Sequence, residues 1–251
     1  MSNVLPYINQ TKKFTNQQYR KWFRENHISA WYRPWIHIGF NGGILLAAVI
    51  YNLLLIQDWS LQVLAIFFLT LIFGNFVVWF VHRYPLHRRF KFWTFPYDTH
   101  TVMHHRYFTA DYITYDDSKD FYAVFFPAHV VAGFVLVAQP LFYFVFAGIF
   151  NSTLGHAFAA SAAFYFLLYE FVHWSSHLKE NHILMRIPWL SFMRKHHIAH
   201  HNPRLMMKYN FCIVHPLMDY LLGTYYKAES LPQDNFEDHY RDVENNLNSK
   251  K

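Results

Sequence analysis

Two long stretches of this chain are almost free of charge, and that limits what it can fold into. Between Trp35 and Val81 there is no Lys or Arg and the only acid is Asp58; between Phe121 and Val172 the only charged side chain is Glu170. A helix rises about 1.5 Å per residue and a bilayer's hydrocarbon core is about 30 Å thick, so each stretch has room for two crossings. The expected spans are about 36–56, 60–81, 122–147 and 152–172. Gln57-Asp58-Trp59-Ser60 and Asn151-Ser152-Thr153 supply the turns within each pair, and Pro140, which lacks an N–H, is expected to kink the third span. All 22 Lys and Arg lie outside the spans: six in 1–34, six in 82–120 and ten after 173. The positive-inside rule then puts both termini and the 82–120 segment in the cytosol. The expected architecture is all-α, a single integral membrane domain over 1–251. Its four transmembrane helices adjoin polar segments, 82–120 and the chain after 173, on the cytosolic side.

The net charge of +6 does not point to nucleic acid. The basic residues flank apolar spans instead of forming an arginine-rich stripe interleaved with stacking aromatics. They suit an anionic leaflet or an acidic electron donor. The single cysteine, Cys212, excludes an intrachain disulfide and any metal site that needs several thiolates.

Histidine carries the chemistry. Of 18 histidines, ten fall in four clusters: His82 and His87; His100, His104 and His105; His173 and His177; His197, His200 and His201. Given this histidine content, an HX3HH or HX2HH pattern is expected by chance about 0.2 times, and both occur. Residues four apart share a helical face, so His100/His104, His173/His177 and His197/His201 could each converge on one ion. The adjacent pairs His104-His105 and His200-His201 diverge by about 100° and could serve two ions. His82 and His87 are five apart and would diverge on a regular helix, but Pro85 between them can break it and turn both inward. His196, four before His200, competes with His197 as a ligand. Neutral imidazoles without thiolate suit iron, zinc or copper and not a structural zinc finger. Glu170 and Asp219 are the candidate carboxylates to orient the ligands.

The order HX4H, HX3HH, HX3H, HX2HH, with two spans between the middle clusters, resembles the fatty acid hydroxylase/sterol desaturase superfamily. So do Tyr169-Glu170-Phe171-Val172-His173 and the stretch from Asn210-Phe211 through His215-Pro216-Leu217-Met218-Asp219 to Gly223-Thr224. The similarity covers roughly 70–226. It implies a non-haem site of two iron ions, replaceable by zinc in recombinant material, with O2 as co-substrate. It also implies a cytosolic helical cap, from 82–120 and 173–226, enclosing the metals above four membrane helices, and an external electron donor, such as a small cytochrome or a ferredoxin with its reductase.

The expected activity is hydroxylation of a lipid acyl chain, of fatty acid or sphingolipid type, at a bacterial inner membrane or the endoplasmic reticulum. Desaturation of a sterol or acyl chain and hydroxylation of a carotenoid share the same chemistry and stay open. A metal transporter or sensor is the reading from another class. It would place its ionisable ligands within the spans, whereas here the clusters lie at or beyond span ends.

Overall fold

The computed structural model describes residue 11 and residues 13–227, all-helical with no strand among them. Local chemistry sets where the helices begin. Thr15 caps Asn16–Asn26 in a reciprocal box: its hydroxyl accepts from Gln18 N, and its own N–H donates to Gln18 Oε1. Pro34 and Pro188 sit in the first turns of Pro34–Leu54 and Pro188–His200, where a missing N–H costs nothing. Asn151 Oδ1 accepts from Leu154 N and starts Ser152–Ser176, so the chain reverses where the sequence suggests.

Three helices are long and apolar enough to cross a membrane: Pro34–Leu54, Leu61–Leu86 and Ala128–Ile149. The fourth expected span falls on Ser152–Ser176, which has 25 residues but is not among those three. The third begins later than the expected 122. Phe121–Val124 is a separate short helix, and the chain breaks before Pro127, whose ring disfavours helical backbone in the residue ahead of it. Around Pro140 the helix widens to a π-turn over Phe134–Ala138, with Gln139 N–H donating to Phe134 O. This turn lies just ahead of the ring that cannot donate.

The chain divides into two compact units, neither continuous in sequence. One comprises Arg33–Val77 and Phe125–Phe171. Its apolar core includes Ile56, Val63, Leu154 and Ala157, with a second cluster of Ala48, Val49 and Ala163. Several polar groups inside it are paired: Gln139 donates to Ala159 O at 2.8 Å, Asn75 donates to the Tyr165 hydroxyl, and His156 meets Asn52 Oδ1 at 2.9 Å. Much of its apolar surface is open, including Phe68, Leu69, Phe73, Phe144 and Val145. Exposed side chains of this kind suit lipid.

The other unit comprises the described residues of Met1–Tyr32, Val78–Val124 and Val172–Lys251. Helix Asn16–Asn26 lies on the segment after His105. Arg24 pairs with buried Asp120 at 2.6 Å, and Tyr107 donates its hydroxyl to the same carboxylate at 2.5 Å. Burial pushes the Asp120 carboxyl up, but these donors and Asp116 N outweigh it and hold its pKa below the ordinary value.

In the first of these units, a Cβ added at Gly74 would stand 2.8 Å from the Tyr165 ring, which Asn75 already ties down. Gly74→Ala is therefore expected to destabilise the protein by about 1–3 kcal/mol. Gly39→Ala, with open space around the new methyl, is the control. Denaturant unfolding in detergent should separate the two; equal stabilities would show that the helices shift freely there.

Candidate metal centre

All ten clustered histidines belong to the unit that contains Val78–Val124 and Val172–Lys251. Nine of them form two groups whose ring nitrogens lie within 4.8 Å of one another. The first is His82, His87, His100, His105 and His200; the second is His104, His177, His197 and His201. Each group could hold a metal ion. His173 borders the second, with its Nε2 3.4 Å from that of His177 and its ring centroid 4.9 Å from those of His104 and His197.

Local backbone decides this partition. His82–Leu86 and Asp98–His104 are π-helical, the first with Pro85 inside. Each brings together two histidines five residues apart, His82 with His87 and His100 with His105. On an α-helix such pairs would diverge by about 140°. The widened turn cancels that divergence, a use of π-turns common at functional sites. The same turn separates His100 from His104, so the expected pairing of those two on one ion is corrected. His197 and His201, four apart at the end of Pro188–His200, do share a group. The adjacent pairs His104-His105 and His200-His201 are split between the two groups, as their divergence requires.

Hydrogen bonding fixes the ring tautomers. His82 Nδ1 meets Phe211 O at 2.5 Å, His104 meets Ala123 O at 2.6 Å, His177 meets Ile113 O at 2.7 Å and His200 meets Tyr209 O at 2.8 Å. His201 Nδ1 is bonded to Phe108 O. His87 Nδ1 faces the Thr101 hydroxyl at 3.2 Å, and that hydroxyl donates onward to Leu86 O. A carbonyl can only accept, so each of these Nδ1 atoms carries the ring's hydrogen and Nε2 is left as a bare lone pair.

Those lone pairs point at one another. His87 and His200 bring their Nε2 atoms to 3.0 Å in the first group, and His104 and His201 to 3.2 Å in the second. Neither pair has a proton to share. Nor is adding one favourable: burial lowers His104 to about 4 and His200 to about 3, and drives His105, His177, His197 and His201 well below the ordinary value. A cation relieves the conflict. Metal–imidazole bonds of about 2.1 Å place neighbouring nitrogens about 3.0 Å apart at right angles and about 3.4 Å apart at tetrahedral angles, and the His87–His200 and His104–His201 spacings fall in that range, with His82–His100 at 2.8 Å and His197–His201 at 2.9 Å just below it.

His196 is turned away: its Nε2 donates to Asp219 Oδ2 at 3.0 Å, which leaves His197 facing the second group. Asp219 also accepts from Phe211 N, Cys212 N and the Thr224 hydroxyl. It holds the backbone on which the Phe211 carbonyl meets His82, and so acts one step behind the ring. Asn210, in left-handed conformation at φ 59°, closes the same loop with bonds to His196 O and Tyr226 O. Glu170 belongs to the other unit, where its Oε1 accepts from Phe126 N at 3.2 Å. Carbonyls and one hydroxyl do the orienting that the sequence suggested for the two carboxylates.

Sequence reasoning passed over Thr101 and the acceptor carbonyls of Phe108, Ile113, Ala123, Tyr209 and Phe211. A carbonyl leaves no residue-type signature, so only the fold could reveal them. Outside the clusters, His37 bonds Phe126 O and His182 caps Leu184 N. His239 lies outside the described residues.

Alanine at His104 or His200 is expected to lower bound metal by about one ion per chain, because each removes a buried member of one group. His27→Ala, at an exposed ring stacked on Phe23, should leave metal content unchanged, and His196→Ala should cost stability but not metal. Elemental analysis of the folded fractions decides the matter; metal loss in His196→Ala equal to that in His200→Ala would refute the partition. Compared with protein-family models, with curated proteins and with solved structures, the chain finds no match in any of the three.

Proposed function

We propose that the chain is a multi-pass membrane di-iron oxygenase that hydroxylates the acyl chain of a lipid near its polar end. The observation that carries this reading is the two imidazole groups, in each of which Nε2 lone pairs meet without a proton between them, His87 against His200 and His104 against His201. The donor set, neutral nitrogen without thiolate, fits iron. His82, His87, His100, His105 and His200 would hold one iron. His104, His177, His197 and His201, with His173 beside them, would hold the other. The order and spacing of these clusters resemble the fatty acid hydroxylase/sterol desaturase superfamily, which is the ground for iron over zinc and for lipid as substrate, and the stretches Tyr169 to His177 and Asn210 to Thr224 look more like its hydroxylase branch.

Bound iron supplies the power to activate O2 against a C–H bond, which side chains lack. The balance is R–H plus O2 plus two electrons and two protons giving R–OH plus water, with the electrons from an external small cytochrome or ferredoxin. The chain's own part is to keep each Nε2 unprotonated, to bury the rings from bulk water, and to fix their directions through the carbonyls behind them.

The proposal includes four crossings with both termini and the histidine unit on the cytosolic side. The distribution of Lys and Arg supports it, as does the length of Ser152–Ser176, about 37 Å at 1.5 Å per residue. His82 lies among the last five residues of Leu61–Leu86, so one ligand sits at the end of that helix. A lipid entering head-first there would present its first few carbons. Metal transport is disfavoured because the unit holding Arg33–Val77 and Phe125–Phe171 contains none of the ten histidines.

Anaerobically purified protein is expected to hold two irons per chain. Supplied with 18O2, a reduced donor system and acyl and sterol substrates, it should give a hydroxyacyl product with one labelled oxygen. A double bond without label, or turnover of sterol alone, would replace acyl hydroxylation by desaturation or sterol oxidation. One ion or none in a folded sample would remove the two-metal reading.

A further inference from the structure

Helix Asn16–Asn26 presents Asn16, Arg20 and Arg24 at intervals of four, on one face, to the segment that follows His105. Between Phe108 and Asp117 that segment has no regular secondary structure to satisfy its backbone. Arg20, only 3% exposed, takes up much of that task. Its Nε donates to Tyr107 O at 2.8 Å and its Nη1 to Thr114 O and Asp116 Oδ2, both at 2.9 Å; Nη2 donates to Tyr112 O. Asn16 adds bonds to Arg106 O and Tyr107 O.

The carbonyls along 107–114 face two ways. Here those of Tyr107, Tyr112 and Thr114 turn to Arg20, while Phe108 O is bonded to His201 Nδ1 and Ile113 O to His177 Nδ1. Both of these rings belong to the second group. The acceptors found behind the first group, Phe211 O, Tyr209 O and the Thr101 hydroxyl, lie on other segments. The guanidinium also lies 5.0 Å from the centre of the Phe108 ring, which packs at 4.3 Å on His177.

We infer that Arg20 is a positioning residue for the second metal ion: by gathering the outward carbonyls of 107–114 it aims the inward ones that hold His177 and His201. Only a planar fork with several donors can serve three carbonyls and a carboxylate together; a lysine ammonium can reach fewer of them. The inference rests on the two-metal reading and adds a part for the N-terminal helix that reaches one group selectively.

The test is metal uptake by the full chain in detergent, titrated with Co2+ and followed by absorption and elemental analysis of the monodisperse fraction. The wild type should take up two ions. Arg20→Gln should bind one as the wild type does and the other at least about tenfold more weakly, the effect expected when the support behind a ligand is removed. Arg20→Lys should fall between them, and it serves as the reading if Arg20→Gln does not fold. Arg24→Gln loses the Asp120 pair but touches none of these carbonyls, so it should be less stable with both ions bound normally. Unchanged affinity for both ions in Arg20→Gln, equal weakening of both, or the same selective loss in Arg24→Gln would overturn the inference. A wild type that takes up fewer than two ions would instead remove the reading beneath it.

Discussion

A neutral imidazole has one hydrogen to give, and in at least five of the clustered rings it goes to a backbone carbonyl on the side away from the site. That bond fixes the ring's direction, satisfies a buried carbonyl, and leaves the opposite nitrogen able to bind metal. Carbonyls suit the task better than carboxylates in so crowded an interior. A buried carboxylate would itself need donors or a cation, whereas a carbonyl brings no net charge. Asp219, a buried carboxylate behind the first group, has its donors supplied by His196, Thr224 and two backbone N–H groups. The rest of the unit can be understood as the scaffolding that brings these carbonyls to their rings.

This explains which parts of the molecule were legible in the sequence. The clusters stood out because histidine is a specific side chain and its spacing is not random. The partition of adjacent pairs followed from helix geometry. The grouping of His100 with His105 did not, since an α-helical rule of four was applied to a π-turn, and no residue between Asp98 and His104 announces that turn as Pro85 does for His82. The choice between His196 and His197 needed Asp219, which is 23 residues away from His196. The N-terminal helix was read only as basic residues near a membrane. Its stripe of Asn16, Arg20 and Arg24 gains meaning only beside a loop that has unpaired carbonyls to offer.

The apolar unit shows the complementary economy. Its helices carry few polar groups, and those described are tied to neighbours within the unit, His37 and Asn41 both on Phe126 O and His156 on Asn52. Hydropathy found these helices because their signal is summed over some 20 residues. It misplaced the start of the third because Phe125 and Phe126 are as apolar as the span they precede, and only Pro127 marks the break.

The two π-turns that carry histidines, His82–Leu86 and Asp98–His104, bear on how such a site tolerates change in chain length. A π-turn is an α-turn holding one extra residue, so losing a residue inside His82–Leu86 would tighten the turn and turn a five-residue spacing into a four-residue one. The two rings would still share a face. A spacer one residue shorter or longer is therefore a change in helical pitch more than a change in the centre. Histidine patterns defined by fixed spacers divide what the geometry unites: chains whose motifs differ by one residue can present the same nitrogens in the same directions.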